Sequence, residues 1–78
     1  LMADAVGCAI KNQQTPNGYY NLESMLKLSA KKGAKIKLCG SCVDARGLQQ
    51  EMFIDVAERS TMPELTQLIH DSDKVLTF

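Results

Sequence analysis

Apolar residues along this chain follow two rhythms, a helical one and an alternating one. Leu22, Met25 and Leu26 share one helical face, with Leu28 near its edge. Asn21 ahead of them is a favourable N-cap, and Tyr20 and Met25 are spaced for a hydrophobic staple. Lys27, Lys31 and Lys32 load the C-terminal half, where cations suit the helix dipole, and Gly33 supplies a left-handed stop. The rhythm then changes. In Ala34–Cys39, Ile36 and Leu38 point one way and Lys35 and Lys37 the other, which predicts a strand whose lysine face is part-exposed or snorkels. Ser41 is placed to cap a short helix, with Asp44 as its capping-box partner and Gly47 as its end. Met52–Val56 reads as a brief strand. Thr61 caps another helix, with Glu64 three residues on, Pro63 tolerated in the first turn, and Leu65, Leu68 and Ile69 as its apolar face. Lys74–Phe78 reads as a last strand and Leu1–Ala3 as the end of an earlier one. Val6–Ile10 reads as a helical turn holding Cys8, and Lys11–Gly18 as a loop with Pro16-Asn17-Gly18 as turn chemistry.

Strands alternating with helices predict an α/β fold with a parallel sheet and crossover connections. At 78 residues the chain is one domain, 1–78. A chain of this size buries only roughly 60–65% of its unfolded surface, so its own core is expected to be marginal and association with other copies to help. Nine basic residues balance nine acidic ones, which removes any bulk electrostatic case for direct nucleic-acid binding. The cluster Lys27, Lys31, Lys32, Lys35 and Lys37 reads as solvated lysines on one helix and one strand. No apolar run reaches the roughly 18 residues that cross a bilayer, and no leader pattern is visible. Three cysteines, an odd number, argue against a secreted disulfide scaffold and point to a reducing cytoplasm.

In open parallel sheets ligands gather beyond the carboxyl ends of the strands. That rule gathers Asp4 and Cys8, the turn Cys39-Gly40-Ser41-Cys42, and Arg59, Ser60 and Thr61 as candidates for one rim. Cys39 is the candidate nucleophile. A sulfur at a strand-to-helix turn sits beside the positive end of a helix dipole, which favours the thiolate that attacks sulfur or carries a persulfide. Gly40 lets the backbone turn closely around it, and the amides from Ser41 onward are placed to stabilise it. Cys42 is a second reactive or resolving thiol. Cys8 is a third thiol for the rim or a core residue, and Arg59 is a partner for a thiolate or an anionic sulfur species. Zinc is a weak fit: one C-x-x-C pair leaves only Cys8 and a distant His70 to complete four ligands. A thioredoxin-like pair would have aromatic and proline neighbours that this motif lacks.

The segments Ala3-Asp-Ala-Val, Gly18-Tyr-Tyr-Asn, Cys39-Gly-Ser-Cys-Val-Asp-Ala-Arg-Gly47, Ala57-Glu-Arg-Ser-Thr-Met-Pro-Glu-Leu65 and Asp73-Lys-Val-Leu-Thr-Phe78 together resemble the DsrE/DsrF-like family. The resemblance runs over nearly the whole chain and matches the C-terminal two-thirds of a typical member, without the initial strand and helix. It implies a three-layer α/β/α fold around a parallel sheet and homo-oligomers, commonly trimers or hexamers. In sulfur-relaying members one cysteine after a central strand carries the persulfide, and Cys39 matches it; Cys42 belongs to a subgroup version of the motif. The function implied is sulfur relay between donor and acceptor proteins, with no cofactor and no metal. The alternative is a non-catalytic oligomeric module that holds a small anion or a protein.

Overall fold

The computed structural model describes residues 1–78, and its best-patterned segments fold where the sequence places them. Helix α1 covers Leu22–Lys31; Asn21 caps it, its side chain accepting from the Ser24 amide at 3.0 Å. Gly33 follows at φ 102°, a left-handed backbone that suits glycine alone. Strand β1, Ile36–Cys39, then leads without a loop into helix α2, Gly40–Ala45. Strand β2, Ala57–Ser60, pairs with β1 in parallel, and helix α3, Met62–Asp71, closes the sequence of elements. Thr61 caps α3, accepting from the Glu64 amide.

The register sets Ile36 opposite Ala57 and Cys39 opposite Ser60, so the carboxyl ends of both strands open at one place. On its other side β1 is met by Leu1. The Leu1 nitrogen donates to the Lys37 carbonyl at 2.8 Å, and its carbonyl accepts from the Cys39 amide at 2.9 Å. Leu1 therefore pairs as a strand residue, but the chain does not continue as one through Ala3. Ala3 turns at φ 51° and a 3-10 segment, Ala3–Ala9, begins there. It packs against α1, α2 and β1.

The core is Val6, Ala9, Leu38, Val43, Phe53, Ile54 and Ala57, and with Gly40 these are the only eight buried residues of 78. Large apolar side chains meanwhile remain outside, among them Met25, Leu28 and Ile69 on α1 and α3. The marginal core expected from length is thus observed. The staple between Tyr20 and Met25 is not formed: Tyr20 is 84% exposed.

Two strands differ from expectation. Met52–Val56 is not a strand: Gln50–Met52 is a 3-10 turn, and Phe53 and Ile54 plug the core, Phe53 through one antiparallel bridge to Ile10. The paired strand comes next, at Ala57–Ser60, where the backbone is free to run beside β1. Lys74–Phe78 forms no strand because no strand lies beside it; Leu76 is 77% exposed and Phe78 fully so. The α/β class with a parallel sheet holds.

Candidate functional site

Cys39 ends β1 and is itself the N-cap of α2, with extended backbone and no side-chain cap. Ser41 does not cap: it lies inside the helix, and Asp44 is turned to Arg59 instead of back toward the helix start. Freed from capping, the Ser41 hydroxyl sits 3.4 Å from the Cys39 sulfur. Cys42, one helical turn on, donates its thiol hydrogen to the same sulfur across 2.7 Å. These donors hold the Cys39 thiol well below its ordinary value, at about 7. The Cys42 thiol contributes most, the Ser41 hydroxyl next, and the Cys42 and Ser41 amides also lower it, against partial desolvation. At neutral pH Cys39 is therefore far richer in thiolate than an ordinary cysteine. The sequence reading credited the helix dipole first; in the structure two neighbouring side chains come before the amides.

Cys42 is oriented in turn from the 3-10 segment. The Ala3 amide donates to its sulfur at 3.2 Å. The positive φ of Ala3 aims that amide, and Arg46 holds the two segments together, reaching the Asp4 carboxylate at 2.6 and 2.9 Å and the Cys42 carbonyl at 3.1 Å. A chain of donors thus runs from the Ala3 amide through the Cys42 thiol to the Cys39 sulfur. Sequence reasoning placed Cys39 and Cys42 together but missed Ala3 and the part of Arg46 in this arrangement; no side-chain signal marks a backbone amide.

Arg59, placed by the sequence beyond a strand, lies within β2. It forms a two-pronged ion pair with Asp44 at 2.5 and 2.7 Å. The pair lowers the Asp44 carboxyl and raises the Arg59 guanidinium, to which the Cys39 sulfur adds a smaller upward push. The guanidinium passes directly over Gly40: a Cβ built there would stand 2.8 Å from the Arg59 Nε. Gly40 is thus a close-approach glycine.

Next to Cys39 opens a cleft of about 310 Å³. Leu1, Met2, Leu38, Met62, Leu65 and Leu68 give it an apolar wall, while Cys39, Gly40, Ser41, Arg59, Ser60 and Thr61 form its polar side together with Lys37. Lys37 is engaged by Glu58 at 2.9 Å and Glu64 at 3.5 Å, which raises its pKa, Glu58 contributing most. The Ser60 hydroxyl donates to Glu64 at 2.5 Å and, ahead of Lys37, lowers that carboxyl. Of the sequence candidates, Cys39, Gly40, Ser41, Arg59, Ser60 and Thr61 line this cleft, and Cys42 stands directly behind Cys39. Cys8 does not join them: it is half-buried on the 3-10 segment, away from the cleft wall. Asp4 is likewise outside the wall, serving Arg46. No helix is long and apolar enough to cross a membrane.

The model of the DsrE/DsrF-like family matches residues 1–78. Protein YchN of Escherichia coli (strain K12) is 40% identical over 78 residues, which are 100% of this chain and 66% of that protein. An uncharacterized protein of Methanocaldococcus jannaschii is 40% identical over 68 residues, 87% of this chain and 60% of its own length. The crystal structure of the ychN protein from E. coli superposes with a TM-score of 0.88 at 39% identity, covering 99% of this chain and 65% of that one. The chain therefore spans slightly less than two thirds of the length of these relatives.

Proposed function

The chain belongs to the DsrE/DsrF-like family, and from that premise we propose that it is a sulfur-relay protein whose Cys39 carries sulfane sulfur as a persulfide. The observation that carries this reading is the Cys39 sulfur itself, at the mouth of a cleft, where the Cys42 thiol and the Ser41 hydroxyl stabilise its thiolate. The thiolate attacks the outer sulfur of a donor persulfide; the donor's S–S bond breaks, its thiolate leaves with the electron pair, and Cys39 becomes Cys–S–SH. An acceptor protein's thiolate then attacks the terminal sulfur, and Cys39 leaves as thiolate. Cys42 offers a second exit. Its thiolate attacks the inner sulfur and expels hydrosulfide, leaving a Cys39–Cys42 disulfide that a cellular dithiol reduces. The sulfurs need close by only about 0.7 Å to reach bonding distance. Gly40, Ser41 and Arg59 contact the bound species, Cys8 takes no part, and the protein works in the cytoplasm as a homo-oligomer.

The test is intact-protein mass spectrometry after incubation with a persulfide donor. The native chain is expected to gain about 32 Da per sulfur added, Cys39→Ser to gain none at that position, and Cys42→Ala to load but to release hydrosulfide slowly. A native chain with free thiols and no adduct on Cys39 rejects the relay. The exposed apolar faces of α1 and α3 favour a second reading, an oligomeric module that binds a small anion or a protein without chemistry. On that reading, replacing Cys39 and Cys42 together by serine leaves binding intact.

A further inference from the structure

The charges around the cleft bear on which donor Cys39 meets. Two cationic side chains line it, Lys37 and Arg59. Arg59 is closed by the two-pronged contact with Asp44, and Lys37 is closed between Glu58 and Glu64. Three carboxylates thus answer the two cationic side chains before the Cys39 thiolate adds its own negative charge. The Leu1 nitrogen, the other donor at that wall, is engaged by the Lys37 carbonyl. A small sulfur anion entering here finds both cationic side chains already held by carboxylates, so the anionic sulfur species expected to seek Arg59 is poorly served. The opposite wall is apolar, built by Met62, Leu65 and Leu68 from one face of α3. Its volume of about 310 Å³ lies at the small end of small-molecule sites.

We infer that the cleft takes an uncharged, apolar-bodied small thiol in its persulfide form, RS–SH, as sulfur donor, and selects against inorganic sulfur anions. This rests on Cys39 being the sulfur carrier. The apolar R group packs on Met62, Leu65 and Leu68, which leaves the S–SH group toward Cys39. The thiolate attacks the outer sulfur, the RS–S bond breaks, RS⁻ leaves with the electron pair, and the proton remains on the new Cys39–S–SH. No oxidant or reductant enters. The neutral product RSH, formed when RS⁻ takes a proton from water, has the same body and competes for the same wall.

The experiment compares benzyl persulfide with thiosulfate and glutathione persulfide as donors to the full chain, following sulfur gained on Cys39 by mass spectrometry. Each rate is divided by that of the same donor with the urea-unfolded chain, which removes intrinsic reactivity. The folded chain is expected to favour benzyl persulfide over thiosulfate by about tenfold or more, the order set by burying an apolar ring. Asp44→Asn, which opens the guanidinium, and Met62→Lys, a change at an exposed position (57% exposed), are each expected to shrink that preference. Equal normalised rates for the donors, or a preference untouched by both variants, overturn the inference while leaving the relay standing. A second arm titrates Cys39→Ser with benzyl mercaptan and reads amide NMR shifts at Met62 and Leu65. Shifts there with no sulfur uptake by the native chain from any donor sink the relay and keep the ligand class; the absence of shifts overturns the ligand class.

Discussion

The turn from β1 into α2 and the tail after α3 stand at opposite extremes of engagement. In the first, almost every polar group has a partner. Cys39 is held by Cys42 and Ser41, Asp44 by Arg59, Arg46 by Asp4, and β1 has a backbone neighbour on each side, Leu1 and β2. In the second, Val75, Leu76 and Phe78 are apolar and exposed, and nothing pairs with them. Their composition suits a strand as well as that of β1 does. What separates the two is the presence of an adjacent backbone, because β structure is a property of pairs of chains and not of one segment.

The sharpest way to break the contrast is to remove a side chain that β1 buries. Leu38 is fully buried, and Leu38→Ala is expected to cost about 2–5 kcal/mol in urea unfolding. In a domain with so few buried residues that loss is enough to unfold much of the population. Leu76→Ala in the tail is expected to change stability by no more than about 0.5 kcal/mol. Equal losses at the two positions would erase the distinction.

The next effect is chemical. Cys42→Ala removes the first donor to the Cys39 sulfur, and its midpoint, followed by ultraviolet thiolate absorbance, is expected to rise from about 7 toward the ordinary 9.0. Ser41→Ala is expected to raise it less. The sign follows from the cause: a lost donor destabilises the charged form, so alkylation of Cys39 slows at neutral pH and recovers once the pH exceeds the new midpoint. A midpoint unmoved in both variants would mean that helix amides alone set the thiolate. Smallest is Gly40→Ala, whose methyl group meets the Arg59 side chain. Sulfur loading is expected to slow by less than about fivefold, because the Arg59 side chain is long, half-exposed and able to shift aside with Asp44.

Much of the framework is legible in the sequence because its signals are local. Asn21 and Thr61 cap their own helices, and the pattern of Ile36 and Leu38 is enough to identify β1. The family was recognisable from motifs, above all Cys39–Gly47. The second strand was misplaced because Phe53 and Ile54 look like strand residues but serve as core plugs, whereas Ala57-Glu-Arg-Ser60 is a strand through its register with β1 alone. Ser41 and Asp44 mimic a capping box because the motif describes only spacing; the stronger attraction of Arg59, distant in sequence, takes Asp44 away. At the site, the cysteines announced themselves, whereas the closure of both cationic side chains of the cleft by carboxylates is a product of tertiary placement.

The uncommon turn at Ala3 has a consequence for tolerance to substitution. The group that steers Cys42 is a main-chain hydrogen, which nineteen of the twenty coded residues possess, so most replacements at position 3 keep the donor and differ only in how comfortably they adopt φ 51°. Glycine relaxes there. Proline is the exception twice over, having no amide hydrogen and a ring fixed at negative φ, and a single codon for it would silence the innermost link of the thiol pair without altering either sulfur.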